Sequence, residues 1–261
     1  MTYSTKFSIE NNVATITLDQ ADKHNAFDDS IIAELRAHLK TIVETSSVRV
    51  MVIKAEGKHF CAGADLSWMK RMADLSYEEN QQDAQNLASL LAELNSLPIP
   101  SIARVQGAAY GGAIGLIACC DIAIASDNAR FCLSEVKLGL APATIGPYVV
   151  SAMGARQCRK LFLTAELFNA EQAERFGLTH QTVALDALDE KVASTISQLL
   201  KAGPLASRAA KKLIADIENS EADMSAMTSD LIARLRVSPE GQEGLSAFFQ
   251  KRMPAWIQDN E

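Results

Sequence analysis

Residues 104–120 read RVQGAAYGGAIGLIACC, and the predicted fold is organised around this stretch. Residues 101–106 have the β-branched alternation of a strand, residues 107–112 contain enough glycine to turn sharply, and residues 113–120 are apolar enough for a buried helix. The pattern therefore predicts a strand that passes through glycines into a helix N-terminus. Unpaired N–H groups at such a terminus can hold an anion or a developing oxyanion. A second interpretation stays open, in which Gly111, Gly112 and Gly115 only let the helix pack closely on a neighbour.

The same succession of strand, glycine loop and helix occurs upstream. Residues 48–54 (VRVMVIK) predict a strand, the loop 57–65 (GKHFCAGAD) follows it, and a helix is predicted next. The chain begins with an expected β-hairpin around residues 10–12. Alternation of strands and helices favours an α/β fold class with right-handed crossovers. Strands are expected at 7–9, 13–18, 48–54, 101–106, 122–125 and 129–134, with helices at 28–40, 66–72, 83–97 and 113–120.

Strand signals nearly vanish after Pro147. Residues 169–172 (NAEQ) fit a capping box, and Gly203-Pro204 is the best boundary signal. We therefore expect a core over residues 1–200 and a helical oligomerisation region over residues 201–261. Helices are expected at 147–163, 170–176, 186–200, 204–218, 224–236 and 245–252.

Composition narrows the class of protein. A chain of 261 residues that is 48% hydrophobic can bury a substantial core. Its net charge of −7 argues against a nucleic-acid surface, which has to neutralise many phosphates. No apolar run is long enough to span a membrane, and the first residues do not read as a secretion signal, so a cytoplasmic location is expected. The five cysteines predict buried free thiols, and the scattered histidines predict no metal site.

Two glycine loops that each open a helix can aim one N–H apiece at a single oxygen. The candidate donors are the amides of Ala64 and Gly112. Loss of one such donor typically costs about 2.7–4 kcal/mol of transition-state stabilisation. The spacing of the glycines does not match a dinucleotide fingerprint, a P-loop or a nucleophile elbow, so those enzyme classes are not favoured.

Glu135 is the candidate acid–base residue. It follows a predicted strand and has apolar neighbours, which would raise its pKa if the side chain points inward. The alternative is a carboxylate that is merely solvated at a strand end.

The whole set of motifs resembles the enoyl-CoA hydratase/isomerase (crotonase) superfamily. This resemblance implies a crotonase-like spiral of β-β-α units with a helical C-terminal region, assembled as a homotrimer or homohexamer. It also implies an acyl-CoA thioester substrate bound at an oxyanion hole, with no cofactor apart from the coenzyme A of the substrate. The motifs are KHNA at 23–26, FCAGADL at 60–66, GAAYGGA at 107–113, CDIAIA at 120–125, SE at 134–135, LGLAP at 138–142 and AFFQKRMPAW at 247–256.

The resemblance also assigns roles to individual residues. It places the oxyanion hole at Ala64 and Gly112 and the acid–base residue at Glu135. It places coenzyme A near a further group of residues, of which the last two reach it from the C-terminal region. These are Lys23, Ala26, Ala62, Asp65, Phe249 and Lys251.

The chain departs from the family pattern at two places. Hydratases of the family commonly use a second glutamate, and its position here is Gly115; residues 141–147 (APATIGP) replace the usual glycine-rich turn. The segments LSEVKLGLAP at 133–142 and GGAIG at 111–115 resemble the bacterial methylglutaconyl-CoA and isohexenylglutaconyl-CoA hydratases of leucine and acyclic-terpene catabolism. Loss of the second glutamate is expected to open volume and remove a negative charge, which suits a branched, carboxylated substrate. The expected activity is syn hydration of such a 2-enoyl-CoA; the alternatives are a Δ3,Δ2-enoyl-CoA isomerase and a catalytically silent acyl-CoA-binding protein.

Overall fold

A computed structural model of the chain describes residues 4–219 and 224–257. The strands are β1 Thr5–Glu10, β2 Val13–Leu18, β3 Val50–Ala55, β4 Ser101–Val105, β5 Ala108–Tyr110, β6 Ile122–Ser126, β7 Arg130–Cys132, β8 Phe168–Asn169 and β9 Gln181–Val183. The helices are α1 Asp29–Glu44, α2 Leu66–Ala73, α3 Tyr77–Asn95, α4 Gly112–Cys119, α5 Gly146–Thr164, α6 Ala170–Phe176, α7 Leu188–Lys201, α8 Pro204–Asn219, α9 Met224–Val237 and α10 Pro239–Gln250. These elements confirm the predicted α/β class.

The main sheet has six strands in the order β1-β2-β3-β4-β6-β9. The predicted hairpin is confirmed, since β1 pairs antiparallel with β2, and the remaining neighbours are parallel. Side chains of β3 alternate between two hydrophobic clusters. Met51 and Ile53 join the larger cluster with α1 and α3, whereas Val50 and Val52 pack with Leu188 of α7. Helices thus cover both faces of the parallel sheet, which explains why its central strand reads as one apolar run.

A second layer of extended segments lies beyond the carboxyl ends of the main strands. The strands β5, β7 and β8 form a small sheet in that order. Two isolated parallel bridges extend the layer, one joining Cys61 to Ala109 and the other joining Phe27 to Ala64. The loops that follow β2, β3 and β4 are therefore held side by side by backbone hydrogen bonds. This layer positions the candidate site.

Two expectations about strands are wrong. Residues 107–112 were expected to form a turn, but they contain the strand β5. Strands also continue after Pro147, since β8 pairs with β7 and β9 pairs with β6 at the edge of the main sheet. Both late strands are short, and their positions depend on partners that lie far away in the sequence.

The C-terminal helices α8–α10 contact the core through polar side chains. Lys211 donates to the carbonyl of Ile99 and to Asp121, and Arg49 donates to the carbonyls of Ala202 and Trp256. Arg49 immediately precedes β3, so the segment at Trp256 is anchored at the amino edge of the parallel strands. The predicted boundary at residue 200 stays a prediction.

Within the described ranges, no helix combines the length and the apolar composition needed to cross a membrane. The five cysteines are buried and unbridged.

Candidate active site

Glu135 lies at the start of a 3₁₀ turn over Glu135–Leu138, directly after β7. Its side chain is half-buried, and its Oε2 is buried without a hydrogen-bond partner among the described residues. Its Oε1 lies beside Gly111, where an added Cβ would be 3.4 Å away. Burial raises the pKa of Glu135, while a hydrogen bond to its own backbone acts in the opposite direction. A carboxyl group with a raised pKa and one unpaired oxygen is suited to proton transfer.

The amides of Ala64 and Gly112 lie on adjacent segments of the second layer. Gly112 is the first residue of α4, where an amide has no partner within its helix. Ala64 is bridged to Phe27 by two backbone hydrogen bonds, and neither of them uses the N–H of Ala64. The amide of Phe27 donates to the carbonyl of Gly63, and the amide of Asp65 donates to the carbonyl of Phe27. Neither amide has an acceptor among the described hydrogen bonds. Both donors are therefore unpaired, and their joint role as an oxyanion hole stays a prediction.

The predicted coenzyme A loop at residues 23–26 is tied to the loop that carries Ala62. The amide of Ala62 donates to the carbonyl of His24, and the amide of Ala26 donates to the carbonyl of Lys23. Lys23 is exposed, while Ala26 and Ala62 are half-buried. These three candidate residues are thus brought together at one rim of the site.

Asn25 organises this rim, and the sequence interpretation gave it no role. Its buried side chain donates to the carbonyls of Glu56 and His59, each at 2.8 Å, and accepts the amide of Gln20. The backbone of Asn25 has a positive φ of 54°, which asparagine tolerates better than most residues. Its position inside the KHNA motif was the available signal.

The carboxylate of Asp65, a predicted coenzyme A residue, has a structural role at a helix N-terminus. It is the N-cap of α2 and accepts the amides of Ser67 and Trp68. In the same loop, burial raises the pKa of Cys61 to about 12, so this thiol stays protonated at neutral pH. The loop therefore offers backbone donors rather than a nucleophile.

The sequence predicts open volume at Gly115, and this prediction is wrong. A Cβ added there would lie under 3.0 Å from both Cγ2 and Cβ of Ile145 and 3.4 Å from Cδ2 of Leu91. Ile145 belongs to the variant loop 141–147, so that loop fills the space. Sequence patterns could not reveal this, because the contact depends on the path of the loop.

Phe249 and Lys251 are not joined to the other candidates. No contact among the described residues links either side chain to the loops at 23–26, 62–65 or 111–112. Both are exposed at the end of α10, and the segment after them folds back so that Trp256 donates to the carbonyl of Lys201. Within one subunit, these two residues therefore lie outside the group formed by Glu135, Ala64 and Gly112.

The candidate site combines the half-buried carboxyl group of Glu135 with the two unpaired amides of Ala64 and Gly112. Among the described residues, no group of three or more His, Cys, Asp or Glu side chains is placed to hold a metal ion. Such an arrangement can stabilise negative charge on a carbonyl oxygen while one residue moves a proton.

Comparisons of sequence and structure relate the chain to known proteins. A family model described as enoyl-CoA hydratase/isomerase covers residues 8–259. An enoyl-CoA hydratase structure from Shewanella pealeana is 46% identical, with a TM-score of 0.93 over 97% of this chain and 96% of that chain. The structure of Pseudomonas aeruginosa AtuE is 36% identical, with a TM-score of 0.94 over 98% of this chain and 100% of that chain. A 2,3-dehydroadipyl-CoA hydratase from Escherichia coli (strain K12) is 31% identical over 95% of this chain and 96% of its own length.

Proposed function

The chain belongs to the enoyl-CoA hydratase/isomerase family, and on this basis we propose that it adds water across the double bond of a 2-enoyl-CoA. The observation that carries the proposal is the position of Glu135, whose Oε2 is buried and unpaired and whose Oε1 lies beside Gly111, the N-cap of α4. A carboxyl group in that place can reach a substrate whose thioester oxygen is held by the amides of Ala64 and Gly112.

Each residue has a defined role in the proposed reaction. The Glu135 carboxylate accepts a proton from water while the water oxygen bonds to the substrate β-carbon. The electrons of the double bond move through the α-carbon to the thioester oxygen, which the amides of Ala64 and Gly112 stabilise. Glu135 then returns the proton to the α-carbon as the thioester carbonyl re-forms. One residue acts from one face of the double bond, so the expected addition is syn.

We keep a methyl-branched, carboxylated acyl group as the proposed substrate class. A second carboxylate is missing at position 115, so a carboxylated acyl group would meet less like-charge repulsion there. The relative from Escherichia coli (strain K12), whose name specifies a 2,3-dehydroadipyl-CoA substrate, supports a carboxylated acyl group. This substrate class does not require an open cavity at Gly115, where Ile145 fills the space.

Isomerisation is the second candidate function. A single carboxyl group such as Glu135 can remove a proton from one carbon and return it to another, and no water needs activation. The filled space beside Gly115 favours this alternative more than the sequence did, because it leaves no room for a second proton-transferring residue. The alternative from another class is an acyl-CoA-binding protein without catalysis.

A substrate panel tests all three functions. The purified protein is incubated in oxygen-18 water with straight-chain, methyl-branched and carboxylated 2-enoyl-CoA and 3-enoyl-CoA esters, and products are identified by mass spectrometry and NMR. Hydration gives a labelled product one water heavier than the substrate. A product of unchanged mass with a moved double bond would indicate an isomerase instead. Binding by calorimetry without turnover of any ester would favour the non-catalytic protein.

A further inference from the structure

Two departures noticed in the sequence, Gly115 and the loop 141–147, form a single packing unit. Ile145 is the N-cap of α5, and it is only 3% exposed. Its Cγ2 and Cβ occupy the space that a side chain at position 115 would enter, and Leu91 of α3 closes the other side. Any residue larger than glycine at position 115 therefore meets Ile145 first.

This unit lies beside the candidate active site. Gly115 is three residues after Gly112, so the two positions neighbour each other on the surface of α4. The turn that begins at Glu135 packs against α5, the helix that Ile145 caps. Ile145 thus caps α5, the helix that packs against the turn of Glu135. Its side chain also lies against α4, which carries the proposed oxyanion donor Gly112.

We propose that Ile145 is a specificity-determining residue: it fills the space that a second proton-transferring side chain at position 115 would need, so that Glu135 alone moves protons at the acyl group. This inference rests on the proposed function, since it specifies how the same site selects its reaction. Because the side chain of Ile145 is aliphatic, the surface that it forms beside Gly115 is apolar. Glu135 then acts without a second carboxylate at position 115.

Thermal unfolding tests the packing without requiring any activity. An alanine stabilises a helix interior relative to glycine by roughly 1 kcal/mol, so Gly115→Ala should raise Tm unless its Cβ meets another atom. We expect Gly115→Ala to lower Tm in the wild-type background and to raise it in an Ile145→Gly background. Ile145→Val is the matched control, because valine keeps Cβ and a γ-methyl group, and Gly115→Ala should still lower Tm there. Ile145→Ala, which keeps only Cβ, should give an intermediate effect.

The Tm comparison remains useful if one variant does not fold. In each case, the protein with Gly115→Ala is compared with the protein that has the same residue at position 145 and retains Gly115. Ile145→Ala serves where Ile145→Gly does not fold. If Gly115→Ala shifts Tm by the same amount in all backgrounds, Ile145 does not control the space at Gly115, and the inference is wrong. This outcome would leave the proposed hydratase function untouched.

Kinetics test the effect on specificity. The double variant Gly115→Glu/Ile145→Gly is compared with Ile145→Gly, so that the only difference is the added carboxylate. For a straight-chain enoyl-CoA, we expect hydration kcat/KM to rise at least about 10-fold, a fraction of the 10²–10⁴ typical of a well-placed acid–base group. Unchanged kcat/KM in the folded double variant would overturn the specificity role. Absence of hydration by the wild-type protein on the whole panel would instead reject the proposed function.

Discussion

At the scale of single residues, Glu135 combines partial burial with an unpaired oxygen. A charged carboxylate in such a place is under-solvated, so its removal should not weaken the fold. We expect Glu135→Gln to retain or raise Tm at neutral pH while turnover falls by about 10²–10⁴. Glu171→Gln, at an exposed glutamate of α6, is the control and should change neither quantity. Wild-type turnover in Glu135→Gln would exclude Glu135 as the acid–base residue.

The raised pKa of Glu135 predicts two pH effects. Water activation needs the carboxylate, so kcat/KM should rise with pH and level off above a midpoint that lies higher than the ordinary value of 4.5. Stability should change in the other direction. The folded state holds the Glu135 proton more tightly than the unfolded state, so this group stabilises the fold below pH 4.5 and the contribution is lost as pH rises through the folded pKa. The Tm of Glu135→Gln should therefore move above that of the wild type across this window, and parallel Tm curves would contradict the expectation.

The sequence predicted single residues where the reason was local. Glu135, Ala64 and Gly112 were identified because glycines and a carboxylate followed strands, and the structure places Glu135 beside Gly111, the residue before Gly112. Asn25 was quoted in a motif but its hydrogen bonds were not foreseen, since their acceptors lie more than thirty residues away. Ile145 looked like an ordinary loop residue, because its partner across the site is a glycine that lacks any side chain.

At the scale of elements, helix α4 depends on a close approach between its first residue and an aromatic ring. A Cβ added at Gly112 would lie under 3.0 Å from Cζ of Phe27. Gly112→Ala keeps the amide N–H but should displace either the ring or the helix terminus, so we expect both Tm and turnover to fall. Phe27→Leu removes Cζ and should restore part of each loss. Gly146→Ala is the matched control, since Gly146 also begins a helix and its nearest neighbour would be an ordinary 3.9 Å contact.

Helix and strand boundaries show where the sequence pattern was sufficient. Helix α6 was predicted with its capping box, and both are confirmed. Helix α3 begins at Tyr77 rather than residue 83, although Ser76 and Glu79 form a capping box that the sequence displays. Helix α10 begins at Pro239 rather than residue 245, after the N-cap Ser238. Its glycines at 241 and 244 weakened the helical pattern, whereas packing against Trp256 and the other helices compensates for their low propensity.

At the scale of the whole molecule, Arg49 connects the sheet to the C-terminal segment. Its guanidinium donates to the carbonyl of Trp256 at 3.0 Å and to the carbonyl of Ala202. Arg49→Met keeps the aliphatic length but loses both bonds, so we expect Tm to fall by roughly 3–10 °C and the C-terminus to be cleaved faster by carboxypeptidase. Arg71→Met is the control because Arg71 pairs with Asp29 on the exposed surface, where ion pairs contribute little. Equal effects of the two substitutions would contradict an anchoring role.

The C-terminal helices also expose more apolar surface than a small appendage needs. Phe248 is 77% exposed and Val237 is 76% exposed, and Ile214 and Ile217 of α8 are exposed as well. Exposed apolar side chains favour association with another subunit, and the family resemblance implies that the oligomer is a trimer, alone or paired into a hexamer. Light scattering at micromolar concentration should give the mass of such an oligomer, and Ile217→Asp combined with Val237→Asp should reduce it to that of the monomer. Leu66→Asp, at an exposed leucine of α2, should leave the mass unchanged. A monomeric wild-type protein, or an oligomer that tolerates both aspartates, would show that these helices do not form the interface.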